Sequence, residues 1–217
     1  MLQARVSAAK PIGVQMNFFY YLMTTDNGGA PCCTPRLWSL AICKPSIRKR
    51  ALPGDVVIGF AGKSIDRLGG FGVVHFAKVS ARADDGAYYA PHSEHRNRAD
   101  CIYERRAEGY FLKKNPFHGR GDMDRDSGRD RRNAAVLLSD EFRYFGNRRY
   151  EVDWSHHPAL RACLVALRRG HRVNHSPRVL KEIQALSSKI LRTEATLGQP
   201  THSLRTRCDG DDGYCTC

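Results

Sequence analysis

Apolar residues follow two rhythms along the chain, which divide it into an early strand-rich part and a late helical part. Residues 13–23 (GVQMNFFYYLM) are rich in aromatic and β-branched types and stop at the Asp26-Asn27-Gly28-Gly29 turn, which predicts a first, central strand. A short apolar run at residues 40–43 precedes Pro45, which suits a first helical turn. A helix is therefore expected over 46–51, stopped by Pro53-Gly54-Asp55. Residues 56–61 (VVIGFA) and 72–79 (GVVHFAKV) should pair as a hairpin around an ordered loop holding Gly62, Lys63, Gly69 and Gly70. Residues 81–133 carry many charges, several glycines and little periodicity, and read as a loop-rich excursion outside the core. Strand character returns at 134–138 and 142–145. The period then changes. Leu160, Cys163, Leu164 and Leu167 recur at helical spacing between Pro158 and Gly170. A second stripe of Val179, Leu180, Ile183, Leu186, Ile190 and Leu191 follows a Ser176-Pro177 cap and ends before Gly198-Gln199-Pro200. The expected class is α+β, with an N-terminal extension over 1–12, a domain over 13–198 and a Cys-containing flexible tail over 199–217.

A length of 217 residues suits one domain with small appendages. Lysine and arginine number 35 against 22 aspartates and glutamates, a formal net charge of +13, and this excess favours an anionic partner, nucleic acid first. The apolar run at 12–23 is about half a membrane span and is broken by Gln15 and Asn17, and no small-residue cleavage pattern follows it. Neither a membrane span nor a secretory signal is expected. Cys32, Cys33, Cys43, Cys101 and Cys163 are scattered through a domain large enough to stand without disulfides, which points to a reduced, cytoplasmic protein.

The densest group of informative residues is LAICKPSIRKRALPGDVVIG, residues 40–59. A helix beginning after Lys44 would offer backbone N–H groups and an ammonium to a phosphate, with Arg48, Lys49 and Arg50 adding charge one turn later. Asp55 suits acceptance of hydrogen bonds from its own turn. This run resembles the nucleotide modification associated domain 2 family, together with Asp26-Asn-Gly-Gly-Ala-Pro31, Gly69-Gly70 before Val73-Val74, Ser139-Asp-Glu-Phe-Arg-Tyr-Phe-Gly146 and Arg169-Gly-His171. The resemblance covers roughly residues 14–185 and implies association with systems that alter nucleic-acid bases. The Ala51-x-x-Gly54-Asp55 approach to a strand is also similar to the PUA-like group. By analogy this implies a small bent β-barrel with peripheral helices and a C-terminal helical pair. Phe60-Ala61-Gly62 and the cysteines after 207 depart from the family pattern.

A pocket for an unstacked base needs a flat platform, edge-reading groups and cations for flanking phosphates. Trp38, Phe60, Phe71 and Tyr103 are platform candidates; Asp26, Asn27 and His75 are edge readers; Lys44, Arg48 and Lys63 are phosphate contacts. The expected function is a nucleic-acid-binding module that reads a modified base. One alternative is a small hydrolase in which Lys44 or Cys43 works with Asp26, Glu104 or Asp130, and another is a nuclease with Asp122, Asp124, Asp126 and Asp130 around a metal. A third is a scaffold or regulator whose basic face binds another protein or an acidic membrane surface, with the helix after Pro177 as an interaction helix. The HExxH, Walker A, GxSxG and strand-to-helix GxGxxG patterns are all missing, so no cofactor is expected. Cys208, Cys215 and Cys217 with His202 could make a zinc set by count, but the spacing favours a flexible tail, and no metal is expected.

Overall fold

The first strand shows how the layers arise, because both of its faces are apolar. In the computed structural model, which describes residues 15–119, 121–123 and 134–203, β1 (Phe18–Met23) turns Phe18 and Tyr20 toward helices and Phe19, Tyr21 and Met23 toward a second sheet. The elements that follow are β2 (Cys32–Thr34), β3 (Leu37–Leu40), α1 (Pro45–Arg50), β4 (Val56–Ala61), β5 (Val73–Lys78), β6 (Ala81–Ala83), β7 (Tyr103–Arg106) and β8 (Gly109–Leu112). After them come β9 (Val136–Ser139), β10 (Glu141–Tyr144), α2 (Pro158–Ala166), β11 (His171–Arg172) and α3 (Pro177–Leu191). A five-stranded sheet has the order β10-β5-β4-β1-β11, a four-stranded sheet β2-β3-β9-β6, and β7 pairs with β8. The expected β4–β5 hairpin is present, and β1 lies inside its sheet, parallel to β4.

The expected small barrel does not close among the described residues. The chain passes between sheets at two neighbouring corners, β5 to β6 and β9 to β10, where Ser80 N donates to Leu138 O (2.8 Å) and Ser139 Oγ to Lys78 O (2.6 Å). On the other side β2, three residues long, and β11, two residues long, end their sheets without pairing with each other. Strands this short offer too few ladder bonds to bridge the gap, and Ala30, Cys33 and Val173 pack against the intersheet core instead.

The C-terminal helical pair is present where the stripes placed it. Ser176 Oγ accepts from Val179 N, Pro177 occupies the first turn of α3, and Val179, Ile183, Leu186 and Ile190 pack with Leu160 and Leu164 of α2 on Phe18, Tyr20, Ile58 and Phe76. Two side chains lock the pair to its surroundings. Glu182 accepts from Leu160 N (2.8 Å) near the start of α2, and Arg143 donates to Leu191 O (2.9 Å) and Thr193 O (3.0 Å) at the end of α3. None of the helices among the described residues is long and apolar enough to cross a membrane.

The region 81–133 departs from its expected character. Tyr88, Tyr89, Cys101, Ile102, Tyr103 and Phe117 form a third core with Ala41, Ile42, Cys43 and Val136 on the outer side of the four-stranded sheet. Aromatics spaced irregularly through loops carry no period, so the pattern along the chain did not reveal this layer.

Candidate functional site at the Cys43–Lys44 turn

Strand register places one polar row across the five-stranded sheet. Tyr21 lies opposite Gly59, Gly59 opposite His75, and His75 opposite Tyr144. Glycine at the second position leaves room for the imidazole: a Cβ there would stand 2.4 Å from His75 Cδ2 and Nε2 and 2.6 Å from Met23 Sδ. The ring fills that gap and its Nε2 meets the Tyr21 hydroxyl at 2.9 Å. Trp38, on the facing sheet, holds its ring 5.6 Å from that of His75. Both His75 Nδ1 and Trp38 Nε1 are buried without a hydrogen-bond partner, a costly state for ring nitrogens. Burial, and then the positive charge of Lys44, bring the His75 pKa down from 6.5 to about 3, so the ring is neutral at physiological pH.

Lys44 reaches this group from the turn after β3. Cys43 and Lys44 both have left-handed backbones (φ 58° and 46°), an unusual pair for residues with side chains, and Arg48 clamps the turn by donating to Cys43 O (2.7 Å) and Ala135 O (2.8 Å). The half-buried Lys44 ammonium lies 4.8 Å from the centre of the Tyr21 ring and has no carboxylate partner among the described residues. On the other side of the turn, Cys43 Sγ lies 3.4 Å from His118 Nε2, and His118 Nδ1 lies 3.2 Å from the Tyr103 hydroxyl.

The structure therefore brings Trp38, Lys44 and His75 together. Arg48 is fully buried and binds backbone carbonyls, which puts it behind the turn and not on a phosphate-facing surface. The helix after Lys44 has only six residues, and its Ile47 and Arg48 amides bond to Lys44 O, so the expected row of free N–H groups is mostly spent. Asp26 is buried at the end of the polar row: its carboxylate accepts from Tyr144 OH (2.7 Å), Thr201 N (2.9 Å) and Thr201 Oγ1 (3.0 Å), and its N–H donates to His202 (3.0 Å). Asn27 closes a local turn by accepting from Gly29 N, Lys63 is exposed on the β4–β5 loop, and Tyr103 belongs to the third core. Phe60 and Phe71 are buried in the helical core. Asp55 plays its expected turn role, accepting from Leu52 N and Asn17 N.

Three groups were not singled out from the chain. Tyr21 is one of two tyrosines in an otherwise apolar strand, which is a usable signal; His118, in a loop, has none. The third is a buried network: Asp100 accepts from Ser39 (2.6 Å) and Tyr88 (2.7 Å), while Arg98 donates to Tyr88, Ser39 and Cys32 O. It underlies a cleft of about 850 Å³ bordered by Arg36, Arg82, His92 and His95. No group of three or more His, Cys, Asp or Glu side chains among the described residues could hold a metal. Asp122 is buried and accepts from Gly119 N, whereas Asp124, Asp126, Asp130, Cys208, Cys215 and Cys217 lie outside the described residues.

Comparison with known proteins adds one finding. The profile of the family described as nucleotide modification associated domain 2 matches residues 15–207. No curated protein and no solved structure matches the chain.

Proposed function

Since the chain belongs to the nucleotide modification associated domain 2 family, we propose that it is a nucleic-acid-binding module that reads a modified base, with Lys44 as its anion contact. The observation that supports this most is the Lys44 ammonium over Tyr21 without a carboxylate partner among the described residues, beside two buried ring nitrogens with unmet hydrogen-bonding capacity. In this reading Lys44 holds a phosphate, and the polar edge or substituent of a base supplies what His75 Nδ1 and Trp38 Nε1 lack. Asp26 positions the Tyr144 end of the row. The net charge of +13 drives encounter, and the Lys44 group discriminates. The pair of sheets would serve as a PUA-like platform, and the absence of disulfides among the five described cysteines suits work in the cytoplasm.

Anisotropy titrations with plain, 5-methyl- and 5-hydroxymethyl-pyrimidine DNA and RNA across a salt series test the reading. The expected result is preference for one modified oligomer that persists at moderate salt. Lys44→Ala should weaken binding about tenfold and lower the salt slope by about one. Absence of binding at low salt, or unchanged binding in the Lys44 variant, overturns it.

A further inference from the structure

We propose that Cys43 is a thiol nucleophile for acyl transfer, with His118 as its general base and Tyr103 as the residue that orients the imidazole. The three groups form one chain from sulfur to hydroxyl, 3.4 Å and 3.2 Å per link, assembled from residues 43, 118 and 103. This is the arrangement by which a weakly ionised thiol is activated: nucleophile, base, and a third group that fixes the base. With the proton on Nδ1 donated to the Tyr103 oxygen, Nε2 directs its lone pair at the thiol.

Other uses of this pair fit less well. Metal binding needs further ligands, and no group of three or more candidates exists among the described residues. Dithiol redox chemistry needs a second sulfur, and Cys43 forms no disulfide with any of the described cysteines. The left-handed backbone at Cys43 is held by Arg48, and from this turn the thiol meets His118. Ala41, Ile42, Phe117 and Ala134 belong to the same apolar cluster as Cys43, so the group transferred is small. Cys43 and His118 are only 6% and 4% exposed, which sets the same limit on size.

The step balances without a further cofactor. His118 Nε2 takes the thiol proton as sulfur attacks the acyl carbonyl carbon. The carbon–oxygen or carbon–nitrogen bond to the leaving group breaks, and that group departs with the proton from His118. Water, activated by the same imidazole, then releases the acyl group as a carboxylic acid and restores the thiol. This activity is independent of nucleic-acid binding at Lys44.

The test uses the full-length protein and p-nitrophenyl acetate. We expect a burst of one equivalent of p-nitrophenolate, an acetyl group (about 42 Da, from the stoichiometry of transfer) located on Cys43 by peptide mass spectrometry, and no burst with Cys43→Ser. His118→Gln should slow the burst about 100-fold. Tyr103→Phe keeps the ring in its core, and should slow the burst less while shifting its pH profile. No burst from the wild-type protein, an acetyl group on another residue, or an unchanged rate in folded His118→Gln would overturn the proposal.

Discussion

At the scale of single residues, one missing side chain decides what the polar row contains. Gly59 lets the His75 ring occupy the space beside Tyr21; any Cβ there meets two imidazole atoms and the Met23 sulfur inside van der Waals contact. Gly59→Ala should therefore cost about 1–3 kcal/mol in denaturant unfolding and displace His75 from Tyr21, seen as a changed His75 imidazole resonance in NMR. An unchanged midpoint and resonance would mean that the ring stays beside Tyr21 and the surrounding backbone gives way instead. Register makes this position matter: the glycine stands within a buried, otherwise apolar strand, and only the pairing of β4 with both β1 and β5 shows which rings it separates.

At the scale of elements, separate segments are held by side chains that reach across them. Arg98 ties the loop before β7 to β2 and β3 through Cys32 O, Ser39 and Thr34, and lies 3.6 Å from Asp100. Burial holds the Asp100 carboxyl above its usual range, while hydrogen bonds from Ser39 and Tyr88 and the positive charge of Arg98 pull the other way. Arg98→Ala leaves that carboxylate without its cation, and a loss of about 3 kcal/mol in urea unfolding is expected. Arg98→Lys should recover little, because an ammonium cannot reproduce the guanidinium fork. A stability within 0.5 kcal/mol of wild type, roughly the surface-mutation range, would show that the network does not hold the third layer. Helices α2 and α3 were legible from their stripes, their opening prolines and the Ser176 cap of α3, because those signals are local, although α2 ends at Ala166 and not at the expected Gly170. The third layer was not, since its aromatics meet only through contacts distant in sequence.

For the whole molecule, buried neutral histidines tie stability to pH. The folded-state pKa of His75 is about 3 against an ordinary 6.5, so between those values the unfolded chain binds a proton that the folded chain does not. Stability then falls as pH falls through that window, by up to about 1.4 kcal/mol per pH unit from this residue. Burial lowers His95, His157, His171 and His175 as well, which adds to the same trend. Thermal melts from pH 7 to pH 4 should show declining midpoints, with a shallower decline in His75→Gln. Equal slopes in the two proteins would mean that His75 is protonated in the fold or exchanges with solvent.

The sequence by itself determined what depends on neighbours along the chain: the strands at β1, β4 and β5, both C-terminal helices with the Ser176 cap of the second, the Asp55 turn, and the family, whose profile matches residues 15–207. Tertiary structure alone decided which of those residues meet. Tyr21 reaches His75 across 54 positions, and Cys43 reaches His118 across 75. It also turned Arg48 inward, left the two sheets unjoined at β2 and β11 among the described residues, and built a third core from a charged, aperiodic stretch. The physical reason is that propensity and periodicity act over a few residues, whereas strand register, burial and close approach are properties of pairs that only the folded chain brings together.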